Sequence, residues 1–230
     1  MKTFAQELEL AIRAQYPIIA VETYEWTRVK EMMRDVAKSL QRDLTNWNRV
    51  DGLIRDGKRV EDSDDPIVAM RTIYEVCMAT ESGRKSEIFI LYDFNTYLEN
   101  VEILERLRLM APELKYRAKT IILVAPAFAI PHDLEKDLTI LSMPLPTREE
   151  LKLVFERFTG ETKDKDGMVL SRTVPPDIAE EAAHAAQGLT AEEAYNAYIR
   201  AYLESRYEDV KNAVASILSQ KEQTIRKGRI

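Results

Sequence analysis

Glu87–Phe94, EIFILYDF, is the stretch whose reading decides the fold. Ile88 to Tyr92 form an unbroken apolar or β-forming run that ends on the carboxylate of Asp93, between Ser86 and Asn95. A strand with one wet face alternates, so a continuous run of this length is the pattern of a strand buried on both faces of a parallel sheet. In such sheets ligands sit beyond the carboxyl ends of the strands, where Asp93 falls.

Working outward, PIIAVET (Pro17–Thr23) and KTIILVA (Lys119–Ala125) read as buried strands in the same way. LTILSM (Leu138–Met143) is a shorter one, and LTNWNRV (Leu44–Val50) alternates, which suits a place nearer the sheet edge. Amphipathic helices separate them. Lys2–Ala14 gathers Phe4, Leu8, Ala11 and Ile12 on one face, and Thr27–Leu40 gathers Val29, Met32, Met33, Val36 and Leu40. Pro66 opens a helix that carries Ile67, Met70, Ile73, Tyr74, Cys77 and Met78, with Gly83 as its end. Tyr97–Met110 is another, with Leu98, Val101, Leu104 and Leu107 inward. Asp51–Asp65 is polar, holds Gly52, Gly57 and the acids Glu61, Asp62, Asp64 and Asp65, and reads as an exposed loop with room for a short hairpin. Five strands separated mostly by helices predict a parallel, doubly wound αβα sandwich over residues 1–143.

The character changes at Pro144 and Pro146, and residues 144–230 read as a small helical subdomain. Thr147 with Glu150 makes a capping box ahead of Leu151, Val154, Phe155 and Phe158. Gly160–Ser171 reads as a charged loop, Pro175–Ala186 as a helix closed by Gly188. Thr190 with Glu193 caps a third helix, and a fourth runs from about Tyr207 to Ile225.

A net charge of -6 argues against a general nucleic-acid surface. The single cysteine, Cys77, allows no intrachain disulfide and sets a reducing compartment as the default. No leader with an unbroken apolar core and no membrane-length apolar run is present, so the expected location is the cytoplasm.

A five-stranded αβα core with a helical lid after it resembles the AAA+ ATPases, and the closer match is to the AAA-type ATPases of cyanobacterial and plastid genomes. The residues that carry it are LELAIRAQYPIIAVETYEWTRV (Leu8–Val29), FILYDFNTYL (Phe89–Leu98), KTIILVAPAFAIPHDLEKDLTILSMPLPTREEL (Lys119–Leu151), GLTAEEAYNAY (Gly188–Tyr198) and KEQTIRK (Lys221–Lys227). They run in order through nearly the whole chain. The resemblance implies the family's N-terminal half, an AAA-like module with a degenerate site that precedes the working ATPase domain. On that reading Asp93 stands where a Walker B carboxylate would hold magnesium near phosphates.

The rest of that chemistry is missing. A P-loop needs GxxxxGK and then Ser or Thr directly after the first strand, so that backbone amides and a lysine cradle the phosphates. After PIIAVET comes YEWTRVKEMM, which contains no glycine. Phe94 stands after Asp93 in place of a water-polarising glutamate, and Ala125 and Pro126 end the KTIILVA strand where a polar residue would read the γ-phosphate. No cofactor is therefore expected, ATP with magnesium being the alternative to test.

Each remaining candidate has a plain structural reading beside it. Asp93 can cap a helix or pair with an arginine instead of binding magnesium. Glu22, at the first strand's end, could pair with Asp93 as a metal or acid/base site, or be solvated or salt-bridged. Arg28 and Lys30, near a helix start, could bind an anion or form a solvated face. Arg117 and Arg148 are the candidate arginine fingers, placed to reach a neighbour's nucleotide. His132 and His184 lack partners at ligand spacing, so no metal site is expected. Cys77 falls on an apolar helix face, and Trp26 and Trp47 stand apart from any aromatic and basic array of the kind single strands stack on.

The functional expectation is a non-catalytic assembly or regulatory module that packs with itself or with a partner ATPase, without membrane or nucleic-acid partners. Two alternatives stay open. The chain is the front part of an ATPase whose P-loop domain lies outside it, or it is an inactive clamp-loader-like subunit.

Overall fold

The computed structural model describes residues 3–55, 57–79, 86–160, 162–163, 169–170, 178–207 and 209–227. The chain divides into two compact units, Met1–Pro144 and Leu145–Ile230.

In the first unit the continuous apolar runs become strands β1 (Ile18–Glu22), β5 (Glu87–Tyr92) and β6 (Lys119–Ala125). β5 and β6 are buried along their whole length. With β2 (Asp43–Asn48) and β7 (Leu138–Ser142) they make five parallel strands in the order β2-β5-β6-β1-β7. The predicted αβα sandwich is therefore present. The strand count is larger than predicted, because β3 (Gly52–Arg55) and β4 (Lys58–Arg59) extend the sheet antiparallel beyond β2.

Strand alternation sends the two sets of side chains to opposite faces. Ile19, Val21, Ile88, Ile90, Ile122 and Val124 pack under α1 (Phe4–Arg13) and α2 (Trp26–Ser39). Ala20, Trp47, Phe89, Leu91, Ile121 and Leu123 pack under α3 (Pro66–Met78) and α4 (Val101–Leu114). Cys77 is buried on this second face. The predicted end of α3 at Gly83 lies outside the described residues.

The stretch read as an exposed loop with room for a short hairpin does contain one, β3–β4, and it is anchored to the core. Ser63 is fully buried, its Oγ accepts from Leu53 N at 2.8 Å and donates to Val60 O at 2.6 Å. Its carbonyl accepts from Trp47 Nε1 at 2.6 Å. α4 begins at Val101 rather than Tyr97, since Asn100 caps it by accepting from the Glu102 and Ile103 amides. The residues before it form a 3-10 turn, Phe94–Tyr97, that folds Phe94 and Tyr97 against Trp47 at 4.9 and 6.0 Å between ring centroids.

The second unit packs α5 (Arg148–Thr159), α6 (Ile178–Ala186), α7 (Ala191–Ser205) and α8 (Val210–Lys227) around Phe155, Phe158, Tyr198 and Tyr207. Thr147 and Thr190 both form the predicted capping boxes. The unit is not purely helical, because the backbone at Thr162–Lys163 and Val169–Leu170 pairs antiparallel as β8 and β9 inside the stretch read as a charged loop. The predicted helix start at Pro175 lies outside the described residues.

Candidate functional site

From β1 the chain crosses to one side of the sheet and from β6 to the other, so the carboxyl ends of these two strands are where sheets of this kind bind ligands. The strand ends are tied together by main-chain bonds: Thr23 N donates to Ala125 O at 2.9 Å, Asp93 N to Val124 O at 2.8 Å, and Met143 N to Glu22 O at 3.0 Å.

A phosphate cradle at this place is a glycine-rich loop ending on a helix N-terminus, whose free amides face the anion. Here only Thr23, Tyr24 and Glu25 separate β1 from α2. Glu25 is the residue ahead of the helix and is 9% exposed. Its amide is turned inward to Thr23 Oγ1 at 3.0 Å. Its carboxylate accepts from Arg28 Nη1 at 3.1 Å, and the same nitrogen donates to Pro144 O at 2.9 Å. The helix end that would receive a phosphate thus carries a buried carboxylate, already paired with the nearest cation. Arg28 therefore belongs to an internal ion pair. Lys30 lies 5.9 Å from the Trp26 ring centroid, and Trp26 packs edge-on to Tyr92 at 5.7 Å. Neither tryptophan is isolated: Trp26 has these two neighbours, and Trp47 has Phe94 and Tyr97.

Asp93 is exposed, holds a left-handed backbone at φ 53, and makes no side-chain bond to the turn after it. Helix capping is therefore not its role. Phe94, in the position next to it, is fully buried in the aromatic cluster. That slot is committed to the core. Glu22 and Asp93 do not end neighbouring strands, because β6 lies between β1 and β5, which separates their backbones by about 10 Å. Glu22 Oε2 instead accepts from Ser142 Oγ at 3.2 Å. Among the described residues no group of three or more His, Cys, Asp or Glu side chains is placed to hold a metal. His132 is exposed and bonds Glu135 at 2.7 Å, and His184 sits on an exposed face of α6.

The two candidate fingers are both engaged. Arg117, at the amino edge of β6 and so opposite Asp93, donates to Glu113 Oε2 at 3.0 and 3.2 Å. It also bonds the Met78 and Ala79 carbonyls at the end of α3, at 3.3 and 3.2 Å. Arg148, in the second unit, pairs with Glu180 at 3.0 Å. Lys152 shares that carboxylate, and the two cations, Lys152 first, hold the Glu180 carboxyl below its ordinary range.

One pattern escaped the reading of the sequence. Gly52–Lys58, GLIRDGK, has the glycine and lysine spacing of a P-loop, with Arg59 in place of Ser or Thr. It spans the β3–β4 hairpin rather than a strand-to-helix turn. Gly52 holds positive φ where the β2–β3 hairpin closes on Asn48, and Gly57 holds it between β3 and β4, so the spacing reflects the chemistry of two turns.

Comparison with known proteins places both units. Residues 4–143 match the family described as SpoVK-like AAA ATPase, N-terminal domain, and residues 149–228 match its second domain. The AAA domain-containing protein ycf46 of Trieres chinensis is 29% identical over 224 residues, which is 96% of this chain and 42% of that protein. Its namesake in Guillardia theta is 28% identical over 155 residues, 65% of this chain and 29% of that one. The chain thus spans less than half the length of these relatives. The structure of PCH-2 from C. elegans superposes with a TM-score of 0.55 at 10% identity, over 96% of this chain and 68% of that one. At that identity the likeness concerns the fold alone. No described helix is long and apolar enough to cross a membrane.

Proposed function

We propose, from the premise that this chain belongs to the SpoVK-like AAA ATPase family, that it is a binding and assembly module that does not hydrolyse ATP itself. The observation that carries this reading is the buried Glu25–Arg28 pair at the start of α2. A nucleotide phosphate brought there would meet, in place of a glycine-rich amide cradle, a buried carboxylate whose cation, Arg28, is already held by Glu25 and the Pro144 carbonyl. An AAA-type sheet and helical unit without a working phosphate cradle keep the surfaces by which such folds pack with copies of themselves or with a partner ATPase. In that role the module organises or regulates another protein. Phosphate release by the purified chain with ATP and magnesium is the direct test. The expected rate is the buffer background. A turnover abolished by Asp93→Ala would overturn the reading.

A second reading rests on length, since the Trieres chinensis relative is more than twice as long as the part this chain matches. In it the chain is the front portion of an ATPase whose P-loop lies in the remaining portion. An open reading frame carrying GxxxxGK with Ser or Thr directly downstream decides between them. A third reading gives the chain an arginine finger toward a partner's nucleotide. Arg117 would then have to leave Glu113 and two α3 carbonyls, and Arg148 would leave Glu180. Loss of a partner's ATPase after Arg117→Ala or Arg148→Ala supports it, and unchanged partner turnover removes it.

A further inference from the structure

The two edges of the sheet are built differently. At one end stands β4, two residues long, with Lys58 and Arg59 both exposed. Short, charged edge strands resist pairing with another chain. At the other end stands β7, five residues reading LTILS, with no charge and no proline. Among the described strands it pairs only with β1.

Its outward side can be assigned residue by residue. Met143 N donates to Glu22 O on β1, and strand alternation turns the backbones of Thr139 and Leu141 the same way. The amides and carbonyls of Leu138, Ile140 and Ser142 therefore face away from the sheet. Ile140 is 45% exposed and Ser142 is exposed as well. An uncharged edge of this length, without bulge or lysine, is a template for a further strand.

We propose that β7 is a self-association edge, on which a second copy of the chain adds its own β7 antiparallel and joins the two sheets into one. The charge pattern favours a second copy as the occupant. Two-fold pairing centred on Ile140 sets Leu138 opposite Ser142 and Thr139 opposite Leu141. The flanking Lys136 and Asp137 then meet Pro144 and Met143, so no like charges face each other. About six main-chain hydrogen bonds form across such a pair. The apolar area added by five residues is small, so the dimer is weak and concentration-dependent. This names a surface for the assembly role and rests on that reading.

Sedimentation equilibrium of the intact chain across a wide concentration range tests it, beside two variants. Ile140→Pro removes an outward amide that makes no bond to β1, and Ile140→Lys sets two like charges face to face at the two-fold. Circular dichroism shows whether each variant folds. The expected result is a monomer–dimer equilibrium weakened at least about tenfold by either folded variant, a shift of about 1.4 kcal/mol or more. A dimer that both folded variants leave intact overturns the β7 edge while the assembly role stands. A chain monomeric at every concentration overturns self-pairing altogether and leaves assembly with a different protein as the form of the role to test.

Discussion

Arg28 Nη1 lies 3.1 Å from Glu25 Oε2 and 2.9 Å from the Pro144 carbonyl, so one guanidinium ties the start of α2 to the segment after β7. The Glu25 side chain is 7% exposed and that of Arg28 is 20% exposed. Removing one member of a buried pair leaves the other charged and poorly solvated. Arg28→Ala is therefore expected to cost about 3 kcal/mol in denaturant unfolding. Glu25→Gln with Arg28→Ala should cost less than Arg28→Ala alone, because the buried negative charge facing Arg28 is then removed together with the positive one. Equal losses in the single and double variants would show that the pair is not the organising contact.

Gly52 is expected to tolerate no side chain. It sits at φ +70, and a Cβ there would stand 2.6 Å from Ser63 Oγ and 2.9 Å from Asp64 N. Ser63 cannot yield, since its hydroxyl is bonded to both Leu53 N and Val60 O. Gly52→Ala should lose about 2 kcal/mol or more, from backbone strain and the clash together. Gly57→Ala meets no atom within 4 Å and should lose only the strain of its positive φ. A thermal melt in which the two variants fall equally would refute the anchoring role of Ser63.

Three buried tyrosines differ in one respect. Tyr198 Oη donates to Leu151 O at 3.3 Å and Tyr207 Oη to Tyr198 O at 2.8 Å, whereas Tyr92 Oη is buried without a hydrogen-bond partner among the described residues. Tyr92→Phe removes an unsatisfied polar atom and should leave stability unchanged or raised by up to about 1 kcal/mol. Tyr207→Phe should cost about 1 kcal/mol. Destabilisation by Tyr92→Phe as large as that by Tyr207→Phe would mean the Tyr92 hydroxyl is satisfied.

The same tyrosines set the alkaline limit. Burial pushes the Tyr92 hydroxyl up to about 12, and raises Tyr198 and Tyr207 by the same cause. Their folded-state affinity for the proton exceeds the unfolded one, so this stability is complete below the ordinary tyrosine pKa near 10. As pH rises from there toward about 12 the unfolded chain binds fewer protons than the folded one, and stability falls. Unfolding midpoints should drop through that window, and less steeply for Tyr92→Phe. A flat profile between those limits would contradict the assigned burial.

The parts of the fold legible in the sequence were those that physics writes locally. β1, β5 and β6 are continuous apolar runs, and the Thr147 and Thr190 boxes are four-residue signals. β3 and β4 are legible as room for a short hairpin, whereas their anchoring is not, because Ser63 bonds Leu53 and Trp47, ten and sixteen residues away. The expected start of α4 at Tyr97 is too early because Leu98, Val101, Leu104 and Leu107 recur at helical spacing, whereas Asn100 is the cap, Val101 is 79% exposed and the buried face is Ile103, Leu107, Met110 and Leu114. At the site, the missing glycines were plain from the residues alone. The buried Glu25 was not, since a glutamate before a helix reads as solvated until the fold brings Arg28 and Pro144 around it. The supposed Glu22–Asp93 pair failed for a topological reason, the insertion of β6 between their strands.

Calorimetric titration of the purified chain with ATP and magnesium tests the central claim most directly. A helix start that carries the Glu25–Arg28 pair and lacks a glycine-rich cradle predicts no saturable heat at millimolar nucleotide. Heat that saturates at one site per chain, and disappears in Asp93→Ala, would contradict it and make the carboxyl edge of this sheet a nucleotide site.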